Sequence, residues 1–288
     1  MLNLFTHRSH AGALIVLALG VLSVFISPAE AGAQEKEQRE VRLVAHRGGR
    51  FEADENTLPA FETALQAGIT GFELDIHRTA DGRYVIMHDF EVSRMVDAEG
   101  TLEKMTFSEV RALRTRKGNT IPTLDEVLAL FSKYPGCYVE FEMKTTREDL
   151  YPEDVLAIYA EDVYASISKA RPDASTYIFS SFDTRVLKYL RKHHPDVEVM
   201  FITSKGNTAE TRAIAADIGT KRMACHRART TLEDMRKAHK DGMVINLWPN
   251  GTEAEMMLSY YLEADYICTD IPRAACGFID EGKLPVRK

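Results

Sequence analysis

The sequence predicts an α/β protein that closes into a single (β/α)8 TIM-type barrel. From residue 42 onwards, segments typical of strands alternate with segments typical of helices, and this order indicates a parallel sheet covered by helices. Eight or nine strand segments over roughly 250 residues favour a closed barrel over an open sheet. No Gly-x-Gly-x-x-Gly motif follows the first strand segment, which argues against a dinucleotide-binding fold.

Strand candidates are short runs rich in apolar, β-branched and aromatic residues. They lie at residues 42–45, 71–76, 84–87, 138–143, 176–179, 197–202, 243–248 and 266–268, with a weaker one at 221–225. Helix candidates carry apolar residues at helical spacing. They lie at residues 58–67, 124–131, 154–170, 184–193, 208–217, 232–239 and 253–262. Capping residues precede several of these helices, namely Thr57, Thr123, Asp183 and Thr231.

One connection breaks the alternation of strands and helices. Between Asp75 and His88 there is no room for a crossover helix, which needs a dozen or more residues. The dipeptide Asp81-Gly82 lies in this stretch, and Asp-Gly is a strong signal for a two-residue hairpin turn. Such a turn would set His88 directly opposite Asp75, so a histidine would lie beside an acid.

The first forty residues are expected to lie outside the barrel. Residues 11–26 form an apolar run that is short for a membrane span, and Ala29, Ala31 and Ala33 provide small residues at cleavage spacing. We therefore expect a signal peptide over residues 1–31, a flexible lead-in over 32–40 and the barrel domain over 41–288. An uncleaved anchor is the alternative for the first segment. The expected location is periplasmic or secreted, with no stable membrane span in the mature chain.

The composition limits the partners of the protein. The 288 residues are 45% hydrophobic, which is enough to bury one large core. The formal net charge of −7 argues against a nucleic-acid partner, because proteins that bind the nucleic-acid backbone carry a basic face. The charge does not exclude a small phosphate ester, which one arginine, one lysine and a cation neutralise locally.

The cysteines indicate no zinc site. Cys137, Cys225, Cys268 and Cys276 match none of the known zinc-binding spacings. The first three lie in or beside apolar strand segments, where a buried thiol is the commoner state. Export permits disulfides, so a bridge between Cys268 and Cys276 stays open at this point.

Acidic side chains recur at two-residue spacing on two strand candidates. Glu73 and Asp75 share one face of their strand, and Glu142 and Lys144 share one face of theirs. Inside a barrel, carboxylates are costly unless they are paired or bind a cation. Oxygen ligands of this kind suit Mg²⁺ or Ca²⁺ better than zinc.

Two histidines and an arginine accompany these acids. His46 ends the first strand, where barrel enzymes place their chemistry, and Arg47-Gly48-Gly49 follows it. His88 follows the hairpin. Two histidines, an arginine, a lysine and spaced acids are what a metal-assisted cleavage of a phosphodiester requires.

Three further residues lie near these positions in the sequence. Glu140 shares the strand face of Glu142, and we expect it to pair with a lysine or arginine rather than to tune a cation site. His77 is expected to support the site from behind or to lie on the surface. His226 follows the weak strand candidate and can reach the mouth of the barrel.

The order of these motifs resembles that of the glycerophosphodiester phosphodiesterases, which are TIM barrels of the phospholipase C-like phosphodiesterase type. The resemblance runs from Val44 to about Pro272, nearly the whole mature chain. The matching elements are His46-Arg47-Gly48, Glu55-Asn56-Thr57, Glu73-x-Asp75, Thr79-x-Asp81-Gly82, His88-Asp89, Ile121-Pro122-Thr123-Leu124, Glu142-x-Lys144, Ser180-Ser181-Phe182, Trp248 with Asn250, and Thr269-Asp270-x-Pro272.

The resemblance implies metal-dependent hydrolysis of a glycerophosphodiester to an alcohol and glycerol 3-phosphate. It implies one divalent cation, Ca²⁺ or Mg²⁺, with Glu73, Asp75 and Glu142 as its ligands. Glu55 would support this cation site or join it. The expected partner is a small glycerophosphodiester or a lysophospholipid-like substrate.

The resemblance also assigns the remaining roles. His46 and His88 would act as the general acid and base, and Arg47 and Lys144 would hold the phosphate. Trp248 would line the pocket for the alcohol, although a tryptophan at this place can also be a plain core residue.

The chain departs from the family pattern in places that concern substrate choice. Asp54 replaces the proline usual before Glu-Asn-Thr, and Pro249 replaces the threonine usual after the tryptophan. The stretch between Asp89 and Ile121 is short, so a large capping insertion is not expected. The alternatives are a lysophospholipase D-like or phosphoinositide-cleaving relative on the same barrel, a non-catalytic phosphodiester-binding protein, and metal-dependent sugar or enolate chemistry.

Overall fold

A computed structural model of the protein describes residues 40–288. The predicted signal peptide and all but the last residue of the predicted lead-in lie outside the described residues. The strands are β1 (Arg42–His46), β2 (Gly71–Arg78), β3 (Tyr84–Ile86), β4 (Tyr138–Met143), β5 (Thr176–Ser181), β6 (Val199–Thr203), β7 (Arg222–His226), β8 (Val244–Asn250) and β9 (Tyr266–Thr269).

Eight of these strands form a closed parallel ring, which confirms the predicted (β/α)8 barrel. Neighbouring strands follow the order β1, β9, β8, β7, β6, β5, β4 and β2, and β1 also pairs with β2. The closing pair places Ala45 beside Phe72 and His46 beside Glu73. The weak strand candidate at residues 221–225 is the seventh strand of the chain.

Helices lie at all seven predicted places, and the structure adds two helices, at residues 107–112 and 272–280, that were not predicted. The helices are α1 (Leu58–Gln66), α2 (Phe107–Ala112), α3 (Leu124–Phe131), α4 (Glu153–Ala170), α5 (Thr184–His193), α6 (Ala209–Ile218), α7 (Leu232–Lys240), α8 (Glu253–Tyr261) and α9 (Pro272–Asp280). The four predicted caps are confirmed, since each side chain accepts a bond from a backbone N–H of the first turn. Within residues 40–288, no helix is long and apolar enough to cross a membrane.

The barrel holds apolar side chains on both faces of its strands. The main core lies between the strands and the helices. A smaller cluster has inward-facing members, which are Val44, Tyr138, Ile178, Met200, Ile202, Ala224 and Cys268. The two-residue spacing of strand side chains means that the face with Val44 also carries His46, and the face with Tyr138 also carries Glu140 and Glu142. The inward face is thus apolar at its lower level and polar at the carboxyl ends of the strands.

The hairpin between β2 and β3 has a different register from the predicted one. Ile76 pairs with Ile86, and Arg78 pairs with Tyr84, so the residue next to Asp75 is Met87 and not His88. The N–H of Met87 donates to the Asp75 carbonyl at 3.1 Å. The loop has three residues, 80–82, rather than two. Its last residue, Gly82, adopts φ +79°, and the Gly82 N–H donates to the Thr79 carbonyl at 2.9 Å. This is a tight turn with one residue added.

The segment between β3 and α3 forms a small lobe with its own apolar cluster. We define this lobe as residues 88–121. It contains two short 3₁₀ turns, Val92–Arg94 and Leu102–Lys104, and the helix α2. Its buried side chains pack on Val85 and Met87 of the hairpin, and they are Val92, Val96, Leu102, Val110 and Ile121.

The four cysteines are buried and unpaired in the described part of the chain, so the open possibility of a Cys268–Cys276 bridge is not realised there. Burial raises the pKa of the Cys137 thiol to about 11 and that of the Cys225 thiol to about 12. These thiols therefore behave as small apolar core groups.

Candidate active site

The sheet topology brings the two histidines to the same edge of β2. One edge of β2 pairs with β4 along residues 71–76. The other edge pairs first with the end of β1 and then with β3. His46 ends β1 and His88 follows β3, so both reach the carboxyl end of the barrel beside the acids of β2. Both histidines line one cavity of about 290 Å³.

Three carboxylates converge at this end of the barrel. Oxygen atoms of Glu73, Asp75 and Glu142 lie within 4.8 Å of one another, and all three residues are buried. Glu73 Oε1 and Asp75 Oδ1 have no hydrogen-bond partner within residues 40–288. Burial and the nearby charges of Asp75 and Glu142 raise the pKa of Glu73 well above its usual range. Buried oxygens that accept no hydrogen bond, together with the mutual repulsion of the carboxylates, fit a site for a hard divalent cation.

Asp75 is surrounded by positively charged and amide groups. The Asn56 amide donates to Asp75 Oδ2 at 2.8 Å. Lys144 Nζ lies 3.4 Å from Asp75 Oδ1, and Arg47 Nε lies 3.5 Å from Asp75 Oδ2. Burial opposes the charged form, but Lys144, His88 and Arg47 outweigh it and hold the pKa of Asp75 far below its usual range. Asp75 is therefore ionised whenever the protein is folded near neutral pH.

His46 is held by a carboxylate from the last strand. Its Nδ1 lies 2.6 Å from Asp270 Oδ1, and Arg50 donates to both oxygens of Asp270, at 2.8 and 3.0 Å. An ionised carboxylate only accepts, so the His46 Nδ1 carries the proton of this bond. The ring then presents Nε2 to Glu73, whose Oε2 lies 3.8 Å away. Burial lowers the pKa of His46, although the bond to Asp270 opposes this shift.

His88 is held in a similar way by its neighbour. Its Nδ1 lies 2.6 Å from Asp89 Oδ1. The buried His77 ring lies behind it, with Nε2 3.2 Å from the His88 carbonyl and Nδ1 2.5 Å from Glu103. His77 is thus a buried support for the backbone at His88, one of its two expected places. The His88 side chain is 30% exposed, more than the 12% of His46.

The turn after β1 brings Arg47 back over the acids. Arg47 adopts φ +53° and Gly48 adopts φ +78°. A Cβ on Gly48 would lie 2.9 Å from Ala60 Cβ in α1, so only glycine fits this turn. The turn lets the Arg47 N–H donate to Glu73 Oε2 at 3.2 Å, and Arg47 Nη1 donates to Glu55 Oε1 at 3.1 Å.

Lys144 follows β4 and lies against the same acids. Its Nζ is 2.7 Å from Glu142 Oε1 and is almost fully buried. Burial disfavours its charge, but Glu142 and Asp75 outweigh burial and raise the pKa of Lys144 above its usual range. Lys144 and Arg47 are therefore both cationic within 3.5 Å of Asp75.

Two cavities meet at this cluster. The inner cavity, of about 290 Å³, enters the barrel and is lined by Trp248. The outer cavity, of about 630 Å³, lies against the lobe and is lined by Phe90. His88, Glu142 and Phe182 line both cavities. A molecule with two arms joined at one central group fits this shape.

Trp248 lies on the wall of the inner cavity and not in the main core. Its ring packs edge-on against Phe182, with centroids 5.9 Å apart, and against His226, at 5.4 Å. Its Nε1 is buried and has no hydrogen-bond partner in the described part of the chain. The peptide bond between Trp248 and Pro249 is cis.

The chain matches a family of known proteins. A family model described as the glycerophosphoryl diester phosphodiesterase family matches residues 46–274. The chain belongs to this family. The predicted enzyme class, a phosphoric diester hydrolase, is confirmed by this membership.

Known members of the glycerophosphodiester phosphodiesterase family resemble the chain either at low identity over most of its length or at higher identity over about a third of it. A glycerophosphodiester phosphodiesterase of Bacillus subtilis (strain 168) is 26% identical over 85% of this chain and 89% of its own length. The mouse glycerophosphodiester phosphodiesterase 1 is 42% identical, but over only 32% of this chain and 31% of its own.

Solved structures of the family share the fold. A phosphodiesterase of Oleispira antarctica, solved in complex with the product sn-glycerol-3-phosphate, superposes with a TM-score of 0.75 at 23% identity. The match covers 83% of this chain and 96% of that protein. A glycerophosphodiester phosphodiesterase of Thermotoga maritima has a TM-score of 0.65 at 25% identity, covering 83% and 99% of the two chains.

Glu55 lies beside the acidic cluster and contacts two arginines. It accepts from Arg47 and, through both oxygens, from Arg94 at 2.5 and 3.1 Å. Burial opposes its ionisation, but Arg94 and Arg47 hold the pKa of Glu55 below its usual value. Glu55 therefore orients Arg47 rather than contributing an oxygen to the three-carboxylate group.

Glu140 has polar neutral partners and not the expected lysine or arginine. The Tyr138 hydroxyl donates to Glu140 Oε1 at 2.7 Å, and the Asn246 amide donates to both its oxygens at 2.8 and 2.9 Å. Asn246 lies on β8, across the barrel interior from β4. Burial raises the pKa of Glu140 to about 7, although these bonds oppose the shift.

Sequence reasoning assigned no role to several residues of the site. Asp270 lies within the Thr269-Asp270-x-Pro272 motif, and its place after the last strand is the signal that indicates a residue at the mouth of the barrel. Arg50 lies in the turn after the His46-Arg47-Gly48 motif, and Asn56 lies within the Glu55-Asn56-Thr57 motif. Arg94 lies in the lobe, where no sequence pattern marks it.

Proposed function

We propose that the protein hydrolyses glycerophosphodiesters to an alcohol and glycerol 3-phosphate with one bound divalent cation. The observation that carries this proposal is the convergence of two histidine–aspartate pairs on three buried carboxylates where two cavities meet. The Oleispira relative, solved with sn-glycerol-3-phosphate, supports glycerol 3-phosphate as a product.

In this proposal Glu73, Asp75 and Glu142 hold the cation, which is Ca²⁺ or Mg²⁺. Carboxylate oxygens alone favour these hard ions over zinc. When bound, the cation withdraws charge from a non-bridging oxygen of the phosphate.

Arg47 and Lys144 hold the phosphate in the proposed complex. Both are buried cations within 3.5 Å of Asp75, so a phosphate at the acidic cluster comes within reach of both. Their positive charge is fixed before the substrate arrives, which stabilises a developing negative charge without later rearrangement. Glu55 keeps the Arg47 guanidinium in place.

His46 and His88 carry out the proton transfers. Each ring has its Nδ1 bonded to a carboxylate, which leaves Nε2 for the reacting groups. One ring removes a proton from the nucleophile, and the other gives a proton to the oxygen of the leaving alcohol. Each transfer accelerates the reaction by about 10²- to 10⁴-fold.

The two arms of the diester occupy the two cavities. The phosphate lies where His88, Glu142 and Phe182 border both spaces, so one arm enters beside Trp248 and the other lies along the lobe. The outer cavity, of about 630 Å³, has room for a larger arm. This favours a lysophospholipid-like substrate as the second candidate.

A substrate panel tests this function. The purified enzyme is given glycerophosphocholine, glycerophosphoethanolamine, lysophosphatidylcholine and phosphatidylinositol with Ca²⁺, with Mg²⁺ or with a chelator. We expect release of alcohol and glycerol 3-phosphate from the first two, and loss of the reaction with chelator. Binding of a diester without release of alcohol would show a non-catalytic binding protein instead.

Variants of the histidines test the proton-transfer roles. His46→Ala and His88→Ala should each abolish turnover while the fold and cation binding stay intact. His193→Ala is the matched control, because this histidine stacks on Tyr189 at the end of α5 and lines neither cavity within the described chain. A histidine variant that keeps most of its rate would refute that residue's role.

We further propose that the protein is exported through the predicted signal peptide. Support comes from the apolar run and the small residues that follow it in the sequence. N-terminal sequencing of the protein purified from its native cells tests this, with cleavage after residue 31 as the expected result. A mature chain that still begins at residue 1 would contradict it.

A further inference from the structure

We infer that Arg94 is a positioning residue for His88. It acts through Asp89, and it links His88 to Arg47, the arginine proposed to hold the phosphate. This inference rests on the proposed role of His88 in proton transfer. Arg94 lies in the lobe, outside the barrel strands, and would help to fix the position of the His88 ring.

The contacts of Arg94 form a continuous chain to His88. Arg94 Nε donates to Asp89 Oδ2, and Asp89 Oδ1 accepts from His88 Nδ1 at 2.6 Å. Asp89 is adjacent to His88 in the sequence, so its side chain can turn away unless a second group holds it. Arg94 is that group, because it occupies the oxygen that His88 leaves free.

The other end of the same guanidinium holds Glu55. Arg94 Nη2 lies 2.5 Å from Glu55 Oε1, and Nη1 lies 3.1 Å from Glu55 Oε2. Glu55 Oε1 also accepts from Arg47 Nη1 at 3.1 Å. One side chain thus fixes His88 relative to Arg47. Arginine suits this task, since its planar fork presents separate nitrogen atoms to the two carboxylates, whereas a lysine offers a single nitrogen.

The lobe fixes the backbone of Arg94. Arg94 ends the short 3₁₀ turn that begins at the buried Val92, and the N–H of Val92 donates to the Gly100 carbonyl at 3.0 Å. Arg116 donates to the carbonyls of Ser93 and Arg94. The apolar cluster of the lobe therefore sets where the guanidinium lies, although the Arg94 side chain itself is 47% exposed.

The other histidine has a comparable arrangement that serves as an internal reference. Arg50 binds both oxygens of Asp270, and Asp270 holds His46. Each histidine is thus hydrogen-bonded to an aspartate, and that aspartate accepts in turn from an arginine. Arg94 differs in that it also reaches Glu55, so its loss should disturb the relation of His88 to Arg47 as well as the orientation of the ring.

Kinetics of matched variants test the inference. We expect Arg94→Gln to lower kcat for glycerophosphocholine by about 10- to 100-fold, the usual cost of losing an orienting partner. Arg94→Lys should recover little of this loss. In an Asp89→Asn background, Arg94→Gln should lower kcat by a smaller factor than in the unmodified protein, because the chain to His88 is already broken and only the contact with Glu55 is still lost.

Arg114→Gln is the control. Arg114 lies in the same lobe and donates to the carbonyls of Arg111 and Leu113. In the part of the chain described, it has no hydrogen bond or ion pair with His88, Asp89 or Glu55. This variant should keep kcat within about twofold. Thermal unfolding of every variant, followed by circular dichroism, separates misfolded protein from a kinetic effect.

Nitrogen-15 spectra of the histidine rings provide a readout that a merely structural role would not move. In the unmodified protein the His88 ring should show one tautomer, with the proton on Nδ1 when neutral, and Arg94→Gln should show a mixture. If Arg94→Gln keeps both kcat and the single tautomer while His88→Ala is inactive, the inference is wrong and the proposed function stands. If His88→Ala stays active, the proposed function itself fails.

Discussion

His46 Nδ1 and Asp270 Oδ1 lie 2.6 Å apart although 224 residues separate them in the sequence. The first is on the first strand of the barrel, and the second follows the last strand, which pairs with it. The bond fixes which nitrogen of His46 faces the acidic cluster. The pairing of β1 with β9 that helps to close the ring therefore also places Asp270 where it orients His46, a proposed catalytic group.

Asp270→Asn should lower kcat by about 10²- to 10⁴-fold, because an amide no longer requires the proton on His46 Nδ1. The measurement is steady-state hydrolysis of glycerophosphocholine by folded protein. Asp280→Asn is the control, since Asp280 pairs with Lys288 on the surface and should change kcat less than twofold. Unchanged kcat in Asp270→Asn would show that this bond does not orient the ring for the reaction.

Glu73→Gln should remove most of the stabilisation that a cation provides. A cation at 100 times its Kd stabilises the folded state by about 2.7 kcal/mol, which raises the unfolding temperature of a chain this size by roughly 5–10 °C. The variant should lose most of this rise. In chelator it should unfold no earlier than the unmodified protein, because a crowded negative charge is gone.

Calorimetry with Ca²⁺, with Mg²⁺ and with chelator measures these shifts. Glu62→Gln, at an exposed position of α1, is the control and should keep the full rise. A Glu73→Gln protein with an undiminished rise would mean that the cation binds elsewhere.

Gly48→Ala should destabilise the protein by about 2–5 kcal/mol. A left-handed backbone costs an alanine about 1–2 kcal/mol, and overpacking against Ala60 costs about 1–3 kcal/mol more. Gly118→Ala separates the two causes, because Gly118 has φ +86° but no described atom within 4 Å of its added Cβ. Urea unfolding measures both free energies. Equal losses in the two variants would show that crowding at Gly48 contributes nothing.

The thiols of Cys137 and Cys225 should not react in the folded protein at pH 8. Burial raises the pKa of Cys137 to about 11 and that of Cys225 to about 12. Both are above their usual values, so the reactive thiolate is scarce at pH 8 and becomes common only at strongly alkaline pH. Titration with a chromogenic disulfide should give slow reaction in buffer and four fast equivalents in denaturant. Rapid reaction of the native protein would contradict the buried placement.

The number and alternation of segments were sufficient to predict the barrel, and local periodicity predicted that Glu73 and Asp75 share a face, whereas the grouping of Glu142 with them rested on the family resemblance. Glu73 and Asp75 alternate with apolar residues along a strand, and this spacing already places both carboxylates on one face. The caps of helices such as α1 are also local, since Thr57 needs only the first turn that follows it. These features require no knowledge of which strands become neighbours.

Local sequence patterns could not predict the contacts that cross the barrel. Asn246 bonds Glu140 from 106 residues away, and the local charge pattern gave no reason to choose an amide over a lysine. The predicted hairpin register was wrong for a related reason, because Asp-Gly also fits a three-residue loop whose last residue is the glycine. The choice between the two loops depends on how Thr79 bonds to Arg83, at 2.8 Å between backbone N and O.

The position of β1 between β9 and β2 has a consequence for synthesis. In a chain made from its amino terminus β1 emerges early, yet one edge of that strand has no partner until β9 emerges. A ribosome-bound fragment that lacks Asp270 would have an open cylinder and an unanchored imidazole. The ring therefore cannot close, and Asp270 cannot orient His46, before β9 and the residue that follows it have been made.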